Sequence, residues 1–73
     1  MTLAEAKEGS RLVVTSTRSE EVTMQAIRFG IGQGAKIDIT KNIKGGPVIL
    51  SCNEMELAVG RELAFLIDVS EIA

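Results

Sequence analysis

The residues of this chain that could bind a metal ion lie close together in the sequence. Cys52 offers a thiolate, and Glu54 and Glu56 offer carboxylates, which are common metal ligands. Cys52 is separated by even steps from Val48 and Leu50, so all three side chains are predicted to face the core of a strand. The chain has no histidine to complete a transition-metal site. We therefore predict a buried, unreactive Cys52 and neither a metal site nor a cofactor.

Three glycines in the middle of the chain, Gly30, Gly32 and Gly34, resemble a phosphate-binding loop at first sight. Their spacing differs from GxGxxG, and they follow a predicted helix and lead into a strand. A phosphate loop must instead open a helix, because the N–H groups and dipole of that end hold the anion. We predict a structural role, with Gly30 ending the helix in the left-handed conformation and Ile31 packing back.

Nothing in the sequence predicts catalysis. Without histidine, no pair of nucleophile and base can be named. The adjacent carboxylates of Glu20 and Glu21 are typical of the first turn of a helix, where the dipole favours negative charge. The chain is therefore predicted not to be an enzyme.

Length and composition exclude several classes of protein. The 73 residues predict a single domain spanning residues 1–73. The net charge is −2 and the lysines and arginines are scattered, so no basic stripe indicates nucleic-acid binding. The apolar runs are far shorter than the ~20 residues that cross a bilayer, so no direct membrane insertion is expected. One cysteine and no signal peptide predict a cytoplasmic protein.

The elements that must position these residues are mostly strands. Alternating or β-branched stretches bounded by turn residues predict about five strands. A 3.6-residue period after Ser19 predicts one helix, residues 20–29, inserted after the first strand. The fold class is therefore mainly β, a small SH3-like barrel of antiparallel strands. The strands are predicted at residues 11–17, 35–41, 48–52, 55–59 and 65–69, with short helical turns at 2–7 and 60–63 and loose final residues.

The predicted helix has two contrasting faces. On a helical wheel, Val22, Ala26 and Phe29 fall on one side, and Ile27 widens that apolar arc. We expect this side to pack against the barrel, because an apolar stripe on a surface helix is usually buried. The core should be aliphatic, since the chain has only two aromatic residues.

The opposite face is polar and includes the candidate partner-binding residues, Met24, Gln25 and Arg28. Glu21, Gln25 and Arg28 form a polar stripe with Met24 at its border. Arginine and methionine are enriched at protein interfaces, which favours a docking surface. A solvated helix face, with Glu21 and Gln25 near Arg28, explains the same residues. Both interpretations stay open at this point.

The order of three motifs resembles the FeoA family, the small accessory proteins of bacterial ferrous-iron transport. The motifs are AIRFGIGQG at residues 26–34, GGPVIL at residues 45–50 and ELAVGRELAFLIDV at residues 56–69. The resemblance covers nearly the whole chain. It implies a non-catalytic cytosolic protein that docks on the cytosolic part of FeoB, a GTP-binding membrane transporter. It also implies the SH3-like barrel.

Two other functions are compatible with the same motifs. One is a metalloregulator-type interaction module, in which this fold contacts another domain or a proline-rich segment of it. The other is a small metal-ion carrier. The chain departs from the family at Gln33, where a proline is frequent, and at residues 23–25, where arginines and leucines are frequent. Residues 23–25 overlap the candidate partner-binding residues.

Overall fold

Five antiparallel strands form a sheet in the order β4-β3-β2-β1-β5. The computed structural model describes residues 1–72. It confirms a mainly β, SH3-like barrel with one longer helix after the first strand. The elements are a 3₁₀ turn at Leu3–Glu5, β1 at Arg11–Thr17, α1 at Glu20–Arg28, β2 at Lys36–Asn42, β3 at Val48–Cys52, β4 at Met55–Val59, α2 at Arg61–Ala64 and β5 at Ile67–Glu71.

The core consists of aliphatic side chains from the inner face of the barrel, as predicted. Both aromatic residues, Phe29 and Phe65, lie at the surface, where they are 45% and 52% exposed. Cys52 is buried, which confirms the prediction from its parity. Its Sγ lies 3.7 Å from the carbonyl oxygen of Gly30, which joins the end of β3 to the end of α1. The largest fully buried side chains include Leu3, Leu12, Ile31, Ile37, Leu50 and Ile67.

The helix α1 has the predicted capping residues and ends at Arg28, one residue before the predicted end. Ser19 Oγ accepts a hydrogen bond from the N–H of Val22 at 3.2 Å. At the other end, Gly30 has φ +80° and the N–H of Ile31 donates to the carbonyl of Ala26 at 2.9 Å. The N–H of Gly30 also donates to the carbonyl of Ile27 at 3.0 Å. Together these bonds form a Schellman motif, which satisfies the last carbonyls of the helix.

The predicted inward arc of α1 is correct for Val22 and Ala26 and wrong for Ile27 and Phe29. Val22 and Ala26 are buried, whereas Ile27 is 58% exposed. Phe29, the C-cap residue, still has helical backbone angles, yet its side chain is 45% exposed. The left-handed turn at Gly30 sends Ile31 into the core instead. The barrel thus covers only a narrow strip of the helix.

The last strand lies further along the chain than predicted. The short helix α2 takes Phe65 as its C-cap, so β5 begins at Ile67 rather than at Phe65. The prediction of loose final residues is wrong up to residue 72. Glu71 pairs with Leu12, and the N–H of Ile72 donates to the carbonyl of Arg11 at 3.1 Å. Ala73 lies outside the described residues.

The N-terminal turn covers the outer edge of β5. Thr2 and Glu5 form the predicted capping box, with the N–H of Thr2 donating to Glu5 Oε1 at 2.8 Å. These bonds hold the pKa of Glu5 below its ordinary value. Thr2 bridges to Asp68, and the N–H of Val69 donates to the carbonyl of Met1 at 2.8 Å. The chain before β1 is therefore part of the sheet edge.

A salt bridge reinforces the start of β5 from the other side. Arg18 donates from Nε and Nη2 to the two carboxylate oxygens of Asp68, both at 2.9 Å. The pKa of the Asp68 carboxyl is lowered mainly by these hydrogen bonds from Arg18 and also by the one from Ser16. The pair therefore contributes to stability above the ordinary pKa of an aspartate and is lost as the pH falls through the lowered pKa.

Arg61, the first residue of α2, forms hydrogen bonds to three segments that are distant from it in sequence: the N-terminal turn, the end of β2 and the loop after β2. Its guanidinium donates to the carbonyls of Gly46 at 2.8 Å and Ala4 at 3.1 Å, and to Asn42 Oδ1 at 2.5 Å. It also donates to the carbonyl of Ile43 at 2.6 Å. The Asn42 amide in turn donates to the carbonyl of Ala4 at 3.0 Å. All four acceptors are uncharged, so these contacts of Arg61 are hydrogen bonds and not salt bridges.

The turn between β3 and β4 contains a strained residue. Asn53 and Glu54 have φ of 51° and 68°, which corresponds to the type I′ turn of a two-residue hairpin. Asn-Gly is the preferred pair in such a turn, because glutamate in the left-handed region brings its Cβ close to a carbonyl. The predicted tight reversal at these residues is confirmed.

Replacing Glu54 with glycine is expected to stabilise the protein. Glycine relieves the left-handed strain but is more flexible in the unfolded chain, so the net gain should be about 0.5–1 kcal/mol in the free energy of unfolding. Urea denaturation measures it. Glu56→Gly in the adjacent strand is the control and should destabilise, because its backbone is extended. A loss of stability in Glu54→Gly would show that the turn is not strained.

Candidate functional site

The predicted partner-binding residues lie together on one side of α1. Met24 and Arg28 are four positions apart, so their side chains are neighbours on the helix surface. Met24 is 55% exposed and Arg28 is also exposed. Among residues 1–72, Arg28 forms no salt bridge. The surface thus presents a thioether beside a guanidinium that is free to bind a carboxylate.

Exposed apolar side chains extend this surface beyond the predicted residues. Ile27 lies three positions from Met24, so the two side chains adjoin on the helix. Phe29 follows at the C-cap and is 45% exposed. The helical wheel assigned both residues to the core. For Phe29 the capping glycine was the available signal, because the residue after such a glycine, here the buried Ile31, packs back against the helix.

Gln25 is half-buried, because it faces a groove between α1 and α2. The groove has a volume of about 490 Å³. The apolar residues that line it are Val22, Leu63 and Leu66. Its polar lining is formed by Ser19, Glu21, Gln25, Gly60 and Glu62. The groove therefore combines an apolar lining with two carboxylates, which suits an apolar side chain next to a basic one.

The sequence did not predict this groove. The short turn at residues 60–63 was predicted, and the structure has α2 at Arg61–Ala64. Leu63 and Leu66 were not assigned to a surface, because an apolar residue in a short turn gives no period from which to read its direction. Which side of α2 faces α1 depends on the path of the chain through Gly60 and on the hydrogen bonds of Arg61.

The geometry supports binding by contact, through apolar side chains and one arginine. Within residues 1–72, no three His, Cys, Asp or Glu side chains lie close enough to hold a metal ion together. Glu54 and Glu56 are exposed, whereas Cys52 is buried, so the candidate ligand set is not brought together. The absence of a cofactor stays a prediction. No helix in the same range has the length and apolar character needed to cross a bilayer.

Comparison with known proteins agrees with this fold. A family model for the FeoA domain matches residues 1–71. A protein from Methanocaldococcus jannaschii, named Fe(2+) transport protein A, is 37% identical over 70 residues, covering 94% of this chain and 84% of that protein.

Two solved structures extend the comparison. The solution structure of the FeoA protein from Chlorobium tepidum has a TM-score of 0.84 and 35% identity, and the match covers all of this chain and 71% of that one. A crystal structure of an iron uptake regulatory protein, FeoA, has a TM-score of 0.90 over 99% of this chain and 97% of that one. At 23% identity, this second likeness concerns the fold alone. By its family model, its relative in sequence and its fold, this chain belongs to the FeoA family.

Proposed function

We propose that this protein is a non-catalytic cytoplasmic accessory protein that docks on the cytosolic part of a FeoB-type membrane transporter. Membership of the FeoA family implies a role in ferrous iron transport. The observation that carries the docking proposal is the exposed side of α1, where Met24 and Arg28 adjoin. This side offers the residue types that interfaces favour.

The docking surface combines an apolar anchor and a charged one. Met24 is flexible and polarisable, so it can fit an irregular pocket on a partner. Arg28 can bind a carboxylate of the partner through two parallel hydrogen bonds. Exposed Ile27 adds apolar area beside them. We place the centre of the interface at Met24 and Arg28, with Gln25 at its boundary with the groove.

The relatives favour transport over the two other functions. The Methanocaldococcus jannaschii protein is matched over 84% of its length and is named for Fe(2+) transport. A metalloregulator-type module would contact another domain of its own chain or a proline-rich segment. A metal carrier would need a ligand set that residues 1–72 do not bring together. Transport by docking on FeoB is therefore the function that we put to the test.

The double variant Met24→Ala, Arg28→Glu is expected to bind the cytosolic domain of FeoB at least tenfold more weakly than the parent protein. Interface anchors of this kind often contribute more than 1 kcal/mol each, and 1.4 kcal/mol corresponds to a factor of ten. Isothermal titration calorimetry with and without guanine nucleotide measures the affinity. Both side chains are exposed, so the variant should fold, with a melting temperature only slightly below that of the parent because a glutamate in the last turn opposes the helix dipole.

A matched control tests whether the location on α1 is responsible. Ile43→Ala, Lys44→Glu removes an apolar side chain that is 46% exposed and makes the same change in charge in the loop after β2. This control should bind like the parent. Equal affinity of the α1 variant and the parent would place docking on another surface. Failure of the parent itself to bind would contradict the FeoB proposal as a whole.

A further inference from the structure

The two edges of the sheet differ in how they are protected. The outer edge of β5 is covered by Met1 and Thr2. The other edge is β4, which pairs with β3 and with no other strand of the described chain. Edge strands are usually protected by short length, charged side chains, proline or a β-bulge. The five-residue β4, MELAV, has one charged residue, Glu56, and no proline, and its register with β3 continues over five pairs without a shift.

The hairpin geometry shows which backbone groups of β4 face outward. Cys52 and Met55 flank the two-residue turn, so they form its hydrogen-bonded pair. Hydrogen-bonded and non-hydrogen-bonded pairs alternate along an antiparallel ladder. Leu57 therefore bonds to β3 like Met55, and the N–H and C=O groups of Glu56 and Ala58 point to the free edge. Both of these residues are exposed.

This edge is complementary to itself. When two copies of β4 run antiparallel about a two-fold axis at Leu57, Glu56 lies opposite Ala58 of the second copy. Both are residues whose backbone groups point outward, so each pair exchanges two hydrogen bonds. The only charged side chain of β4 thus meets a small neutral one, and no like charges face each other. The exposed side chain of Met55 lies opposite Val59 of the second copy.

We propose that β4 is a homodimerisation edge, at which two copies pair antiparallel about Leu57 and join their five-stranded sheets into one of ten strands. The occupant is a second copy because one register satisfies the outward N–H and C=O groups of Glu56 and Ala58 and also keeps the two Glu56 side chains apart. If the two-fold axis passed through Glu56 instead of Leu57, the two Glu56 side chains would lie opposite each other. Five-residue strands bury little area, so the association is weak and depends on concentration. It does not depend on the FeoB proposal.

A charge exchange at Ala58 tests the register. In Ala58→Glu, the new glutamate of each copy lies opposite Glu56 of the other copy, so like charges meet twice. In Ala58→Lys, a lysine meets Glu56 at the same two places. The dissociation constant of Ala58→Glu should be at least about tenfold higher than that of Ala58→Lys, with the parent between them. Sedimentation velocity between about 20 µM and about 2 mM covers the affinities of weak dimers. Ala58 is exposed in an extended strand, so both variants should fold alike.

Amide hydrogen exchange locates the contact directly. The amides of Glu56 and Ala58 should become more protected as the concentration rises, while that of Leu57 is protected at every concentration. Three results would overturn the proposal. In the first, the parent and Ala58→Lys stay monomeric at every concentration. In the second, Ala58→Glu and Ala58→Lys dimerise with the same affinity. In the third, amide protection rises with concentration elsewhere but not at Glu56 and Ala58.

Discussion

Replacing Arg61 with methionine is expected to lower the free energy of unfolding by about 3 kcal/mol, the largest effect of any single exchange proposed here. The guanidinium donates to four acceptors from the N-terminal turn, the end of β2 and the following loop. Methionine keeps much of the length of the side chain and removes every donor. Asn42 Oδ1 and the carbonyl of Gly46 are then left partly buried without this partner, which costs more than the bonds contribute in water.

The loss is large relative to the total stability of such a chain. A protein of 73 residues is stable by roughly 4 to 11 kcal/mol. The Arg61→Met protein should therefore melt well below the parent in calorimetry. Arg11→Met is the control, because the Arg11–Asp38 salt bridge is exposed and screened by solvent, so its loss should lower the free energy of unfolding far less. Equal destabilisation by the two exchanges would contradict the proposed stabilisation by the hydrogen bonds of Arg61.

Replacing Gly30 with valine is expected to destabilise the protein by about 2 kcal/mol. Gly30 has φ +80°, and a β-branched residue is strongly disfavoured there. Apart from the two adjoining residues, no atom lies within 4 Å of where a Cβ would be, so the cost comes from the backbone alone. If the chain relieves the strain by leaving the left-handed conformation, it loses the hydrogen bond from Ile31 to Ala26 instead.

A control substitution at Gly60 separates the cost of backbone strain at Gly30 from the general effect of replacing a glycine. Gly60 also has open space where a Cβ would lie, but its φ is −57°, which any residue adopts. Gly60→Ala should change the free energy of unfolding by less than about 0.5 kcal/mol, whereas Gly30→Ala should cost about 1 kcal/mol. Urea denaturation of the parent and the three variants, including Gly30→Val, makes the comparison. Similar values for Gly30→Ala and Gly60→Ala would contradict the strained cap.

The strands were predictable because alternation fixes both their extent and their buried face. Ile37 and Ile39 in β2, and Leu50 in β3, lie in the core as their parity requires. The path of the chain after α1 was only partly predictable. Gly30 was recognised as a cap, yet Phe29 was assigned to the core beside Ile31. A helical wheel contains no information on where the next segment packs, so it could not choose between the two apolar residues.

The candidate docking surface was predictable as a set of residues and not as a shape. Met24 and Arg28 adjoin as their four-residue spacing requires. The groove beside Gln25 depends on α2, whose position is fixed by hydrogen bonds between Arg61 and carbonyl groups more than a dozen residues away. An arginine in a four-residue helical segment gives no sign in the sequence that its partners will be backbone carbonyls. Long-range polar contacts of this kind lie beyond pattern analysis.

The pairing of the first strand with the last one bears on how the chain folds during synthesis. β1 emerges from the ribosome early, but its partner β5 is the final strand of the described chain. Arg18 and Asp68, which join them, are 50 positions apart. The first strand therefore stays unpaired along its β5 side until β5 has been translated. We expect the barrel to close after translation of β5, in one late step dominated by non-local contacts.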